Sequence, residues 1–232
     1  MTATAPNLLH VPWHRSVFYA FDTETTGIDV WNDRIVTATI ARIDGPNVET
    51  LTWLINPGID IPQAATDVHG ITTQHAQENG QNPAEAIREI TAVLSDAHPV
   101  VAFNASYDFT ILTAEAERHG TRVDVPAVID PHVIDKHVDP RRRGKRTLTA
   151  TCEHYGVKQT DAHDATGDAL AAARLAWTLT ERHPDLLQVD PTELHQAQIE
   201  WRRDQAESLA RYFVRQGRPD DVARDWPIQE RR

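Results

Sequence analysis

Three strand-like segments stand in a row near the start of the chain, and from there on helix and strand signals alternate. Residues 17–22, 34–43 and 49–56 are rich in β-branched and aromatic residues, with Asp44-Gly45-Pro46-Asn47 as the turn between the second and third. Three consecutive strands predict antiparallel pairing. After Pro83, residues Ala86, Ile87, Ile90, Val93 and Leu94 share one helical face, and residues 99–103 then form a short buried strand. A helix over residues 106–119, a strand over 127–130 and helices over 148–155 and 164–181 follow. This order defines an α/β chain: a mixed central sheet, three antiparallel strands and then helix and strand in alternation, flanked by helices. Near His183-Pro184-Asp185 the compact part ends. Residues 1–13 are expected to be an N-terminal segment, 14–185 the main domain and 186–232 a C-terminal helical extension. Asp190-Pro191 starts that extension's helix, with proline at the first helical position, and it runs to Gly217 with Leu194, Trp201, Leu209 and Phe213 as an apolar stripe packing back on the domain.

The first strand runs into two carboxylates. Residues 21–27 read FDTETTG, and alternation along a strand puts Asp22 and Glu24 on one face with Thr23 facing away. Two neighbouring acids repel each other and lose hydration, so a cation between them is the simplest remedy. Further on, FNASYDFTIL (residues 103–112) leaves a strand for a helix and puts Asn104 and Asp108 four apart, on one face of the helix start. By itself Asp108 is an ordinary acid in a first helical turn. DAHDATGDAL (residues 161–170) places His163 ahead of a helix capped by Asp164, with Asp168 in its first turn and Ala172, Leu175 and Leu179 on its buried side. Alone, His163 is an unremarked loop histidine.

Charge is unevenly spread. The 232 residues carry a formal net charge of −11, yet PRRRGKRTL (residues 140–148) packs five cations into six positions. A plain reading makes it a solvated loop. Arg143, Lys145 and Arg146 are instead expected to meet phosphates, because the run leads directly into the helix preceding His163 in an otherwise acidic chain. Tyr107 can stack on bases, whereas Phe21 suits the core. A single cysteine, Cys152, excludes an internal disulfide and a cysteine-rich metal site, and suits a reducing cytosol. No export signal or span of about 18 apolar residues is found, so a cytoplasmic location without membrane contact is expected.

FDTETTG, the Asn104-to-Asp108 segment and HDATGDA (residues 163–169) resemble, in order and spacing, the three motifs of the DEDDh family of 3′–5′ exonucleases, which includes the proofreading epsilon subunit of bacterial DNA polymerase III. The resemblance covers residues 14–182 and extends to Val68-His69-Gly70-Ile71-Thr72. Tyr107 stands where the family often has phenylalanine. The resemblance implies a ribonuclease H-like fold and a metal-dependent exonuclease that releases nucleoside 5′-monophosphates from a free 3′ end, using two Mg²⁺ or Mn²⁺ ions. It further implies that Asp22 bridges the ions, Glu24 and Asp168 complete one, Asp108 holds the other through water, and His163 is the general base, with a reference pKa of about 6.5. Thr25, Thr26 and Gly27 would form the floor under the 3′ end, and Asn104, Tyr107 and His69 would join Arg143, Lys145 and Arg146 in binding substrate. Single-stranded DNA in replication proofreading or repair is the favoured substrate, with small-RNA trimming as its rival. An inactive nucleic-acid-binding module, or an Mg²⁺-dependent phosphatase of the haloacid dehalogenase type, fits the five site residues less well. A DNA polymerase or a second copy of the chain is the partner to consider, and no motif selects either.

Overall fold

A five-stranded sheet in the order β3-β2-β1-β4-β5 organises the molecule: β1 (Phe18–Thr25), β2 (Ile35–Asp44), β3 (Asn47–Leu54), β4 (Val100–Val101) and β5 (Val128–Ile129). The computed structural model describes residues 12–159, 164–187 and 189–231. As expected, β1, β2 and β3 pair antiparallel, while β4 and β5 add in parallel beside β1. The sheet is therefore mixed.

Helices cover both faces, and the period of two along β1 decides which side chain meets which. Phe21 lies edge-on to Phe109 at 5.6 Å in the core under α3 (Pro83–Asp96) and α4 (Ser106–Arg118). Phe18 and Ala20 face the opposite core with the alanines of α7 (Ala165–Arg182) and with Cys152 and Tyr155 of α6 (Leu148–Tyr155). Small alanines let α7 settle close to the strands. Asn82 caps α3 by accepting from the Ala84 N–H, and Asp164 caps α7 by accepting from the Gly167 N–H.

Four features depart from expectation. First, β1 continues past Asp22 to Thr25, with a register shift between Glu24 and Thr25, so the acids sit inside the strand and not at its end. A bulge of this kind re-aims the side chains beside it. Second, α1 (Gln63–His69) and α2 (Thr73–Asn79) fill the stretch after β3, and α5 (Pro131–Val138) follows β5. Third, Asn104 lies before α4 with φ 59, outside the helical face it was expected to share with Asp108. Its loop is fixed by Asp130, whose carboxylate accepts from the N–H groups of Asn104 (2.9 Å) and Ala105 (3.0 Å). Fourth, the short helix α8 (Pro184–Leu187) straddles the expected boundary at residue 185, and α9 (Pro191–Arg215) lies along the sheet edge.

That edge contact is specific. The Gln198 amide donates to the Val128 carbonyl (3.0 Å) and its oxygen accepts from the Asp130 N–H (2.7 Å), while His195 Nδ1 accepts from the Val128 N–H (3.0 Å). Two side chains of α9 thus occupy the edge groups of β5 that a sixth strand would use. Leu194 is buried and Trp201 packs against the core, as expected, but Leu209 is 43% exposed and Phe213 packs locally against Ala206, Ala210 and Val222. From there the tail returns to the domain, with Trp226 Nε1 donating to Asp130. No helix among the described residues is long and apolar enough to cross a membrane.

Candidate active site

Three parallel strands, β1, β4 and β5, end on the same edge of the sheet, and the predicted acids gather there. This is where open α/β sheets place their ligands. Asp22 and Glu24 lie opposite Thr39 and Thr37 of β2, on the face covered by α7. The first turn of α7 delivers Asp168, and carboxylate oxygens of Asp22, Glu24 and Asp168 lie within 4.8 Å of one another. Thr166 Oγ1 lies 3.2 Å from Thr39 Oγ1, which is 3.1 Å from Thr52 Oγ1, so three hydroxyls fasten the start of α7 over two strands. Gln159 donates to Asp168 at 2.6 Å.

Asp108 arrives from the other face of β1. Its carboxylate accepts from the Thr23 N–H (3.1 Å) and hydroxyl (2.7 Å), and its side chain is buried. Thr23 does face away from Asp22 and Glu24, and Asp108 is what it meets. The acids are electrostatically crowded. Burial pushes Glu24 up to about 8, with Asp168 and Asp108 adding to the effect. Burial also holds Asp22 well above the usual carboxylate range, and Asp108, Asp168, Glu24 and Asp164 raise it further. Asp108 is pushed up to about 7 by burial, with the Thr23 hydrogen bonds pulling the other way. Hard oxygen donors that resist ionisation in one another's company are a fitting seat for divalent cations, and zinc-type sulfur and nitrogen donors are absent from this triad.

A cavity of about 360 Å³ opens beside Asp22 and Asp168, walled by Phe103, Asn104, His132, Arg146, Thr147 and Leu148. His132 is held neutral: burial, then Lys136 and Arg202, push it down to about 3. Arg146 is positioned by Asp135, which accepts from Arg146 Nη1 (2.7 Å), from Arg142 Nη2 (2.7 Å) and from the Tyr155 hydroxyl (3.1 Å). The basic run therefore splits. Arg142 and Arg146 turn inward onto one carboxylate, Arg146 also lining the cavity, whereas Arg143 and Lys145 are exposed and line no part of it.

Beyond the bulge, the turn is tied in a knot. The Thr25 and Tyr107 hydroxyls each donate to the Gly27 carbonyl, at 2.7 and 2.6 Å, and also contact each other. Thr26 is 2% exposed; its hydroxyl donates to Asp33 (2.8 Å) and accepts from the Arg34 N–H (3.0 Å), so that side chain serves the turn. A Cβ on Gly27 would come within 2.5 Å of the Asp33 carboxylate, which explains the glycine. His69 ends α1, accepts from the Ile71 N–H (3.1 Å), and is pushed below its ordinary pKa by burial, the Thr25 backbone opposing. His163 lies outside the described residues.

The sequence reading missed His132, Phe103, Gln159, Thr147 and Leu148. For His132 the signal was present: Asp130-Pro131 is the same helix start as Asp190-Pro191, and the Asp130 carboxylate accepts from the His132 N–H at 2.9 Å. Phe103, expected at the end of a strand over 99–103, lies in the turn past β4, and Gln159 sits in a loop that carries no periodic signal.

The family model RNase_T, described as "Exonuclease", matches residues 19–176. The chain belongs to this family, the metal-dependent DEDD class of 3′–5′ exonucleases. DNA polymerase III PolC-type of Streptococcus mutans is 30% identical over 173 residues, covering 73% of this chain and 11% of the relative. Its Streptococcus sanguinis counterpart is 30% identical over 163 residues, covering 69% and 11%. The chain thus spans about a tenth of the length of these relatives. Among solved structures, E. coli exonuclease I in complex with a dT13 oligonucleotide superposes with a TM-score of 0.62 at 21% identity, over 74% of this chain and 42% of that one. Product-bound exonuclease I gives 0.63 at 20% identity, over 75% and 45%. At that identity the likeness speaks for the fold, which is ribonuclease H-like.

Proposed function

We propose that this chain removes nucleoside 5′-monophosphates one at a time from the 3′ end of single-stranded DNA, with Mg²⁺ or Mn²⁺ at the acidic site. The observation that carries the reading is the Asp22, Glu24 and Asp168 triad, its oxygens within 4.8 Å of one another at the mouth of a cavity walled by Arg146. Those three residues would hold one divalent cation, and Asp22 with Asp108 a second. Bound there, the cations supply Lewis-acid polarisation of the scissile phosphate and of the attacking water.

The side chains do the rest. Arg146 lines the cavity with its terminal nitrogens held by Asp135 and by the Asp139 and Arg142 carbonyls, and it offers a phosphate there a fixed positive charge. Arg143 and Lys145 extend the positive field outward. Phe103 and Leu148 flank the cavity and suit the faces of a terminal base. The Thr25–Tyr107–Gly27 turn, with Thr26 behind it and His69 beside the Thr25 backbone, would form the floor under the 3′ end, so that a strand is accepted by its end. Asn104, held in place by Asp130, reaches the same cavity. His163 accepts the proton of the attacking water, for which a neutral imidazole is suited. The preference for DNA draws on the relatives, which are DNA polymerases of the PolC type and an exonuclease solved with DNA oligonucleotides. Proofreading or repair in the cytoplasm is the setting that goes with that substrate.

The test is a comparison of 5′-labelled single-stranded DNA, duplex DNA with a frayed 3′ end, and RNA of the same sequence, each with Mg²⁺, Mn²⁺ and chelator. Expected is a ladder shortening from the 3′ end, fastest on single-stranded DNA and stopped by chelator. Shortening that continues in chelator removes the metal assignment, and faster loss from RNA reassigns the substrate.

A further inference from the structure

A second cavity adjoins the first. It holds about 630 Å³ between α5 and α9, and Asn104, His132 and Arg146 line both it and the catalytic cavity. The two form one continuous depression running from the acidic triad onto the C-terminal helix. That helix lies outside residues 19–176, the part matched by the exonuclease family.

The charge of this groove opposes that of the chain. Lys136, Arg146 and Arg202 line it against one carboxylate, Asp204, in a molecule of net charge −11. Half-buried arginines elsewhere are paired, Arg34 with Glu115 and Arg142 with Asp135. Lys136 and Arg202 are half-buried too, yet among the described residues neither side chain makes a hydrogen bond or an ion pair within 4 Å. Burial lowers both, and each further cation of the cluster lowers Lys136 again, while Asp130, with Asp135 for Lys136 and Asp225 for Arg202, opposes from a distance. Cations that repel one another in partial burial are stabilised by an incoming polyanion.

The groove also offers flat apolar surfaces. His137 stacks on Trp201 with ring centroids 3.7 Å apart and planes at 10°, and His137 is itself exposed. One helical stretch further on, Leu209 is 43% and Tyr212 50% exposed on the same groove. From Trp201 to Tyr212 the helix rises about 16 Å, the length of about five stacked nucleotides at about 3.4 Å each. Alternating cations and aromatic faces are the means by which single strands are held without regard to sequence.

We infer that the groove between α5 and α9 is the track for the single strand upstream of the scissile phosphate, with Lys136 and Arg202 on its phosphates and His137, backed by Trp201, and Tyr212 on its bases. The inference rests on the proposed exonuclease reading. It makes the C-terminal extension part of the substrate site, and it predicts that the enzyme works better on long strands than on the shortest ones.

Two measurements on the full chain test it. The first is the ratio of kcat/KM for a thymidine oligomer of about ten nucleotides to that for a dinucleotide, in wild type, in K136Q/R202Q and in Y212A. The second is fluorescence anisotropy of the same labelled oligomer in chelator, with salt varied. The double variant is expected to lower the ratio about tenfold and to flatten the slope of log affinity against log salt by about 1.4, at about 0.7 per lost phosphate contact. Y212A, altering a half-exposed residue, keeps the test informative if the double variant fails to fold, and it should lower the ratio without changing the slope. Folded variants that keep the wild-type ratio and slope overturn the track. So does a polyglutamate peptide that competes with the oligomer as well as unlabelled DNA does, since that marks an acidic protein partner. If the wild type releases nothing from any strand, the exonuclease reading fails, while the anisotropy series still decides the groove.

Discussion

At the residue scale the site is a set of acids whose ionisation the fold resists, and this has a measurable sign. Glu24 goes from an ordinary 4.5 to about 8 and Asp108 from 3.8 to about 7. A group whose folded pKa is raised contributes stability that is complete below its unfolded pKa and is lost as pH rises through the folded one. His132 acts in the opposite sense below its ordinary 6.5, because it is held at about 3 and must be charged on unfolding in acid. The acids therefore dominate between pH 6.5 and 8. In chelator, the thermal midpoint should fall across that window, and saturating Mg²⁺ should restore it most at the upper end. A midpoint in chelator that climbs toward pH 8 contradicts this. D22N removes one crowded acid, so it should raise the midpoint in chelator, blunt the effect of Mg²⁺ and lower nucleotide release by at least about a hundredfold. Retained release would show that Asp22 is no ligand. The acids were legible in the sequence because strand alternation is rigid: Asp22 and Glu24 could only be neighbours. Thr23 and Asp108, by contrast, are joined across 85 positions by two hydrogen bonds that no local pattern announces.

At the scale of elements, long periodic signals were the most legible, although the eight-residue α6 and the two-residue strands β4 and β5 were anticipated as well. The long strands β1 to β3 and helices α3, α4, α7 and α9 were all found, while the seven-residue α1 and α2 were not. Those two are marked only by punctuation, Gly70 in the left-handed region after α1 and Thr72 capping α2. The eight-residue α5 was lost in the same way, and with it the meaning of the basic run. Counting charges over residues 141–146 suggests five free cations, but Asp135 on α5 takes two of them. Its side chain is fully buried, and Arg142 and Arg146 are 7% and 13% exposed. Replacing Asp135 with alanine strands two buried guanidinium groups and the Tyr155 hydroxyl, a loss of about 3 kcal/mol. A urea titration of D135A should show the drop in midpoint at unchanged slope. A loss below about 1 kcal/mol would mean that solvent, and not Asp135, satisfies the loop.

At the scale of the whole molecule, the C-terminal helix does more than lay its apolar stripe on the domain: its polar side chains fasten it to the sheet edge. The reason is physical. β5 would be the open edge of the sheet, and its N–H and carbonyl groups are taken by Gln198 and His195 from α9, contacts spanning about 70 positions. Side-chain-to-backbone bonds over such distances leave no periodicity in sequence, so the apolar stripe was readable and the edge cap was not. Asp130 joins the pieces: its carboxylate holds the Asn104 loop, caps α5 and accepts from Trp226 of the tail. The extension thereby reaches the catalytic cavity through a buried carboxylate as well as along the groove. Q198A removes three buried hydrogen bonds, counting the one to the Leu194 carbonyl (3.0 Å), and should destabilise the full chain by about 2 kcal/mol. Ending the chain at residue 190 uncovers the β5 edge and the apolar surface under Leu194 and Trp226, and should be far worse: a lower thermal midpoint, dye binding to exposed apolar surface, and aggregation through the bare edge. A shortened chain that melts with the full-length protein and stays monomeric would show that α9 is not needed to close the sheet. It would also leave α9 free to act only as the strand track, and the length dependence of cleavage would then vanish on truncation while the fold stayed intact.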